Sequence, residues 1–219
     1  MLVSHRYRFI YTKTVKTAGT SVEVYFEPYC MHEGEFIPSH ARETYESDAG
    51  IVGYRGGHME PNCKWWNHMS AEQVRAELGD DLWSQYFKFC VVRNPFEQLV
   101  SYFYFLRRES FTPQFDERHK DEFARWLTTE KLPSNEPMYK IAGENCMDFL
   151  VRFENLQGDL QRVCSHIGVD WKPSELSTYK SGFRPAEATA AKIYTEPARQ
   201  FVERQYAQEL RYLGYSFPQ

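Results

Sequence analysis

Thr12 to Glu23, TKTVKTAGTSVE, joins two segments of opposite character. Before it, YRFIYT reads as a strand beginning at Arg6 or Tyr7 and ending at Thr12; after it, GTSVEVYF reads as a helix. The junction gathers Lys16, Thr17, Gly19, Thr20 and Ser21, so backbone N–H groups, hydroxyls and an ammonium meet at a helix N-terminus. Unsatisfied amides and the helix dipole both favour negative charge there, which suits a phosphate-like anion. The spacing is not GxxxxGK[ST], because Lys16 precedes Gly19 instead of following a glycine. An ordinary polar strand-to-helix turn has a similar composition, so the junction alone leaves both readings open.

Working outward, the same strand-then-helix pattern recurs. SAEQVRAELG reads as a helix with a capping box, Ser70 with Gln73, and a stop at Gly79. YFKFCVVR is a near-continuous apolar run of the kind buried on both faces, and it breaks at Asn94-Pro95 into a helix through FEQLVSYFYFLRR. DEFARWL reads as a short helix, DFLVRF as a strand, NLQGDLQRVCSHI as a helix stopped by Gly168, and EPARQFVERQYAQELRYLG as a closing helix. Residues 28–66 are rich in glycine and proline and read as an irregular excursion; 172–188 read as a loop. The alternation predicts an α/β fold: a mainly parallel sheet flanked by helices, in a single domain over residues 1–219. Ligands of such sheets sit where strands end and helices begin.

Composition narrows the class. Apolar residues make up 42% and aromatics 16%, enough for a packed core, and a net charge of −4 argues against non-specific nucleic-acid binding. The five cysteines lack a CxxC pair and read as free thiols. No apolar run in the sequence is long enough for a membrane span, so a soluble, cytoplasmic protein is the expectation.

The second junction, VVRNPFEQLVSYF, places Arg93 at the end of a buried strand and Ser101 two turns into the helix, suited to a second phosphate. Arg93 paired with a nearby carboxylate is the alternative. Together, VKTAGTS and VVRNPFEQLVSYFYFLRR resemble the nucleotide-binding elements of sulfotransferases that use 3′-phosphoadenosine 5′-phosphosulfate (PAPS). The first resembles their phosphosulfate loop, usually PKTGGTS or PKTASTS. The second is similar to the 3′-phosphate element of the heparan sulfate 2-O-sulfotransferase branch. FLVRFENLQGDL and FVERQYAQELRYLGYSF resemble later elements of the same family, so the likeness spans nearly the whole chain and is weakest over residues 28–66. Val15 stands where the family usually has proline, a departure expected to loosen the loop.

The resemblance implies a P-loop-like three-layer fold and transfer of a sulfuryl group from PAPS to a hydroxyl, leaving adenosine 3′,5′-bisphosphate. It implies that Lys16 meets the sulfuryl group or bridging oxygen, and that Thr17, Ala18, Gly19, Thr20 and Ser21 bind the 5′-phosphate. Arg93 and Ser101 would grip the 3′-phosphate, and a segment with Lys180 and Arg184 would close over the nucleotide. In the glycan-modifying branch a histidine shortly before the arginine-bearing strand is the base. His68, 25 residues before Arg93, fits that placement, with His58 in GGHMEP as runner-up. Cys30, His32, Cys63 and His68 form no closed zinc set, and no metal is expected. A carbohydrate or small-molecule acceptor and a bacterial member without the anchor of Golgi relatives complete the expectation. Two other readings stay open: a binding module of the same fold without turnover, and an ATP-dependent kinase, although neither a Walker lysine nor a metal-binding aspartate at a strand end is visible.

Overall fold

The computed structural model describes residues 1–57, 63–109, 114–179 and 182–218. The chain divides into two compact units, one formed by residues 1–92 and 135–179, the other by 93–134 and 180–219.

In the first unit the strands are β1 (Leu2–Ser4), β2 (Phe9–Thr12), β3 (Tyr45–Glu46), β4 (Gly50–Val52), β5 (Phe87–Val92), β6 (Lys140–Ile141), β7 (Glu144–Asn145) and β8 (Phe149–Arg152). Its helices are α1 (Gly19–Phe26), α2 (Ala71–Leu78) and α3 (Asp80–Gln85), with α6 (Glu136–Tyr139) and α7 (Leu156–Ile167) in the later segment. The second unit holds α4 (Pro95–Leu106), α5 (Glu117–Thr129), α8 (Ala190–Ile193), α9 (Glu196–Gln205) and α10 (Ala207–Leu213).

The fold is α/β, as expected. Its six-stranded sheet has the order β3-β4-β1-β2-β5-β8. Neighbours β2, β5 and β8 run parallel, with Thr12 opposite Cys90 and Val92 opposite Arg152. Their carboxyl ends therefore lie together, and the loop to α1 leaves from one of them. On the other side β1, β4 and β3 extend the sheet in antiparallel sense. Residues 28–66 thus supply two sheet strands where an irregular excursion was expected. Strands of two and three residues are too short to show an alternation. The first expected strand is likewise shorter: Arg8 adopts φ 52°, a left-handed conformation that breaks extended structure before Phe9.

Local signals account for the helix boundaries. Ser70 accepts from the Gln73 amide and Gln73 reaches back to Ser70, so the capping box forms. Asn94 caps α4 by accepting from the Phe96 amide, with Pro95 at the first helical position, where a missing N–H costs nothing. Gly168 takes φ 75° past α7, a conformation that a side chain would disfavour. The expected closing helix is broken into α9 and α10 at Tyr206, whose phenol donates to the Pro133 carbonyl at 2.7 Å.

Each unit has its own aromatic core. In the first, Phe9, Phe26 and Phe89 are fully buried, with the Phe26 and Phe89 rings 5.3 Å apart. In the second, Phe103, Phe123 and Trp126 pack together. Burying rings of this size removes on the order of 150–250 Å² each from water, which explains why so aromatic a chain folds into tight layers. No helix among the described residues is long and apolar enough to cross a membrane.

Candidate active site

Between β2 and α1 the backbone turns back on itself. Lys16 and Ala18 both have φ near 60°, uncommon for residues with side chains, and Ala18 is the N-cap of α1. His68 has φ 58°, so among the described residues three of the five non-glycine positions with positive φ belong to this loop or to the histidine expected as its partner. Backbone strain of this kind costs about 1–3 kcal/mol per residue and persists only where surrounding contacts enforce it.

Those contacts are visible. The Thr14 hydroxyl donates to the Val91 carbonyl on β5 and lies 2.7 Å from the Thr17 hydroxyl. The Thr17 hydroxyl also reaches the Thr14 carbonyl at 3.3 Å. Asn135 holds Val15 on both sides, its Oδ1 accepting from the Val15 amide at 2.8 Å and its Nδ2 donating to the Val15 carbonyl at 3.3 Å. The exchange of proline for valine therefore exposes an N–H that Asn135 satisfies, and the loop gains a clamp where loosening was expected. Asn135→Ala would leave that half-buried amide unsatisfied. Destabilisation by about 1–3 kcal/mol is expected in denaturant unfolding, whereas a loop that needs no clamp would show no change.

At the start of α1, no side chain caps the helix and the first turn carries no acidic residue. The terminal amides of a helix are orphan donors, so this end is left open to an anion. Lys16 is half-buried beside it. The other hydroxyls named from the sequence are engaged within the unit: Thr20 Oγ1 accepts from Lys13 at 3.3 Å, and Ser21 Oγ accepts from the Tyr179 amide at 3.1 Å. Both hydroxyls act as acceptors in these bonds, so their own protons stay available for donation.

Behind the loop lies a buried charge network that sequence reasoning missed. Glu23, fully buried on α1, accepts from Lys13, from Arg55 at 3.0 Å and from the amino group of Met1 at 2.7 Å. Arg55 also pairs with Glu27, which meets Arg42 at 3.0 Å. Burial alone would raise the Glu23 pKa, but Lys13, the Met1 amino group and Arg55 hold its carboxyl well below the usual range. One signal was available: a glutamate inside GTSVEVYF, a helix every residue of which is buried, demands partners.

The structure places His68 against this network. Its Nδ1 lies 3.0 Å from the Lys13 carbonyl. A carbonyl only accepts, so Nδ1 carries the proton and Nε2 is left with its lone pair. Burial first, then the Lys13 ammonium, lowers the His68 pKa to about 4, against a smaller opposing pull from Glu23. The imidazole is therefore neutral at neutral pH, the form a general base requires, although the lowered pKa makes Nε2 a weaker base than an ordinary histidine. His58 lies outside the described residues.

In the second unit, Arg93 directly precedes the Asn94 cap and is half-buried, as is Ser101 on α4. Glu97, one turn beyond Arg93, pairs with Arg184 at 2.5 Å and accepts from the Ala190 amide at 3.1 Å. Burial would raise the Glu97 pKa; Arg184, the Ala190 amide and Arg93 bring it below the ordinary value. Arg184 also donates to the Ala188 carbonyl at 2.7 Å, so it ties its own segment to α4. Lys180 lies outside the described residues.

A surface cavity of about 710 Å³ lined by Tyr7, Lys88, Phe149 and His166 lies at the opposite, amino ends of β5 and β8, and none of the loop residues lines it.

A protein of Archaeoglobus fulgidus, described as an uncharacterized protein, is 29% identical over 113 residues, covering 49% of this chain and 87% of its own length. The model of the sulfotransferase family matches residues 1–216, across both units. The chain therefore belongs to the sulfotransferase family, and sulfuryl transfer is its chemistry.

Proposed function

We propose that the protein transfers a sulfuryl group from PAPS to a hydroxyl of a carbohydrate or small molecule, in the manner of the heparan sulfate 2-O-sulfotransferase branch. The observation that carries the reading is the pairing of an open, acid-free α1 N-terminus beside Lys16 with a neutral His68 whose Nδ1 is already committed. The first unit offers amides and an ammonium suited to a phosphosulfate, and the family resemblance assigns the further phosphate to Arg93.

When bound, PAPS supplies an activated sulfuryl group and a phosphate leaving group. Lys16 and the amides of residues 18–21 hold the 5′-phosphate and neutralise the charge that develops on it. Thr17 also fixes the loop through its hydroxyl, while Thr20 and Ser21 keep hydroxyl protons to donate to the same phosphate. By the family resemblance Arg93 and Ser101 would hold the 3′-phosphate and the segment with Lys180 and Arg184 would close over the nucleotide; within the second unit, Arg184 pairs with Glu97. His68 Nε2 takes the acceptor's hydroxyl proton as the new S–O bond forms. The bond from sulfur to the 5′-phosphate oxygen breaks, and its electron pair stays on the phosphate that Lys16 faces. Loose transition states of this type are catalysed chiefly by positioning and electrostatics.

The test is a transfer assay with sulfur-labelled PAPS against a panel of sugar, phenol and alcohol acceptors. Label is expected in a sulfate ester of at least one sugar or small alcohol. Tight donor binding with no transfer to any acceptor would favour a binding module instead.

A further inference from the structure

We propose that Lys13 is a positioning residue that locks the anion loop and His68 together, its backbone fixing the imidazole and its side chain bridging α1 to the histidine's segment. The inference rests on the reading of His68 as the base. The Lys13 carbonyl accepts from His68 Nδ1 at 3.0 Å, and this contact alone decides which ring nitrogen keeps its lone pair. The Lys13 ammonium lies 3.3 Å from Asn67 Oδ1, next door to His68, and 3.3 Å from Thr20 Oγ1, and it pairs with Glu23 at 2.5 Å. A single residue thus contacts α1 at two positions and the base's segment at two consecutive ones.

The packing around it is close. The Lys13 side chain is 5% exposed and passes directly over Gly19, where an added Cβ would sit 2.8 Å from Lys13 Cγ and 2.9 Å from Cε. Glycine at 19 is therefore the space through which the lysine stem reaches Glu23. That is a separate requirement from any anion at the helix end.

A lysine serving only to compensate Glu23 would make no contact with the segment that carries His68, whereas this one reaches Asn67. The arrangement gives Lys13 a second effect, because its positive charge opposes protonation of the adjacent imidazole. Among the described residues, the Met1 amino group works in the same direction and Glu23 against it, while Arg55 shares Glu23 Oε2 with Lys13. His68 is thereby kept neutral, with its Nε2 available, at the place where the loop is built.

The test is an NMR titration of the full chain labelled with ¹⁵N-histidine, in wild type, Lys13→Met and Lys13→Arg, with far-UV circular dichroism as the check on folding. In wild type, His68 is expected as the Nδ1–H tautomer, titrating well below the ordinary histidine range. Lys13→Met keeps the stem and the carbonyl but loses the charge. The midpoint should rise by about one pH unit or more, a ten-fold gain in proton affinity, while Lys13→Arg stays near wild type. An unchanged midpoint in folded Lys13→Met would overturn the proposal. If that variant does not fold, the wild-type spectrum decides, since an Nε2–H tautomer overturns the proposal without any variant. The base reading fails separately: His68→Ala with undiminished turnover would defeat it and leave the titration result standing.

Discussion

His68→Ala is expected to lower turnover on the true acceptor by about 10²–10⁴, the usual worth of a positioned general base, while leaving the affinity for adenosine 3′,5′-bisphosphate within about two-fold. The split follows from location. His68 belongs to the segment before α2, and its Nδ1 is spent on the Lys13 carbonyl, which leaves Nε2 for the proposed role on the acceptor. The pH profile carries a second signature. With the folded-state pKa lowered to about 4, kcat/KM should stay level from neutral pH to about pH 5 and fall only below that. An unperturbed histidine would bring the fall near 6.5. The same shift bears on stability. Between about 4 and 6.5 the unfolded chain binds the His68 proton and the folded one does not. The contribution is therefore complete above 6.5 and is lost as pH falls towards 4. A fall in kcat/KM centred near 6.5 would assign the base to another group, and normal turnover in His68→Ala with loss in His58→Ala would assign it to the glycine-rich segment.

The second large effect is expected at Lys16. Lys16→Ala should lower turnover by about 10²–10³, comparable to removing one preorganised donor to a developing anion, with a smaller loss of donor affinity from the remaining amides. Lys16 also sits at φ 60°, which glycine adopts without strain. Lys16→Gly should therefore be as inactive as Lys16→Ala yet no less stable, and a measured Tm at or above wild type would show that the loop holds strain for function. Full activity in either variant would remove Lys16 from the chemistry.

How much of this was legible in the sequence depends on how local each signal was. The extent of α1, the capping box at Ser70, the Asn94-Pro95 start of α4 and the glycine stop at Gly168 all rest on residues within one turn of one another, and all are found in the structure. The antiparallel edge was not legible, because strands of two or three residues carry no periodicity. Among the candidate site residues, Lys16 stood out by residue type and neighbourhood, and His68 through the resemblance to the sulfotransferase branch. The clamp from Asn135 to Val15 joins residues 120 positions apart and leaves no local trace. Lys13 was in plain view beside Lys16, but its role comes from Glu23, Arg55 and Asn67, which only the fold brings together.

The central claim, that this chain uses a 3′-phosphorylated donor, is most directly tested by calorimetric titration with adenosine 3′,5′-bisphosphate and with ADP, in wild type and Arg93→Ala. Loss of a charge-assisted contact of this kind costs about 1.5–3 kcal/mol, so Arg93→Ala should bind the bisphosphate roughly ten-fold to a hundred-fold more weakly, and wild type should prefer it to ADP by a similar factor. Equal affinity for ADP, or an Arg93→Ala variant that binds the bisphosphate as well as wild type, would contradict the account.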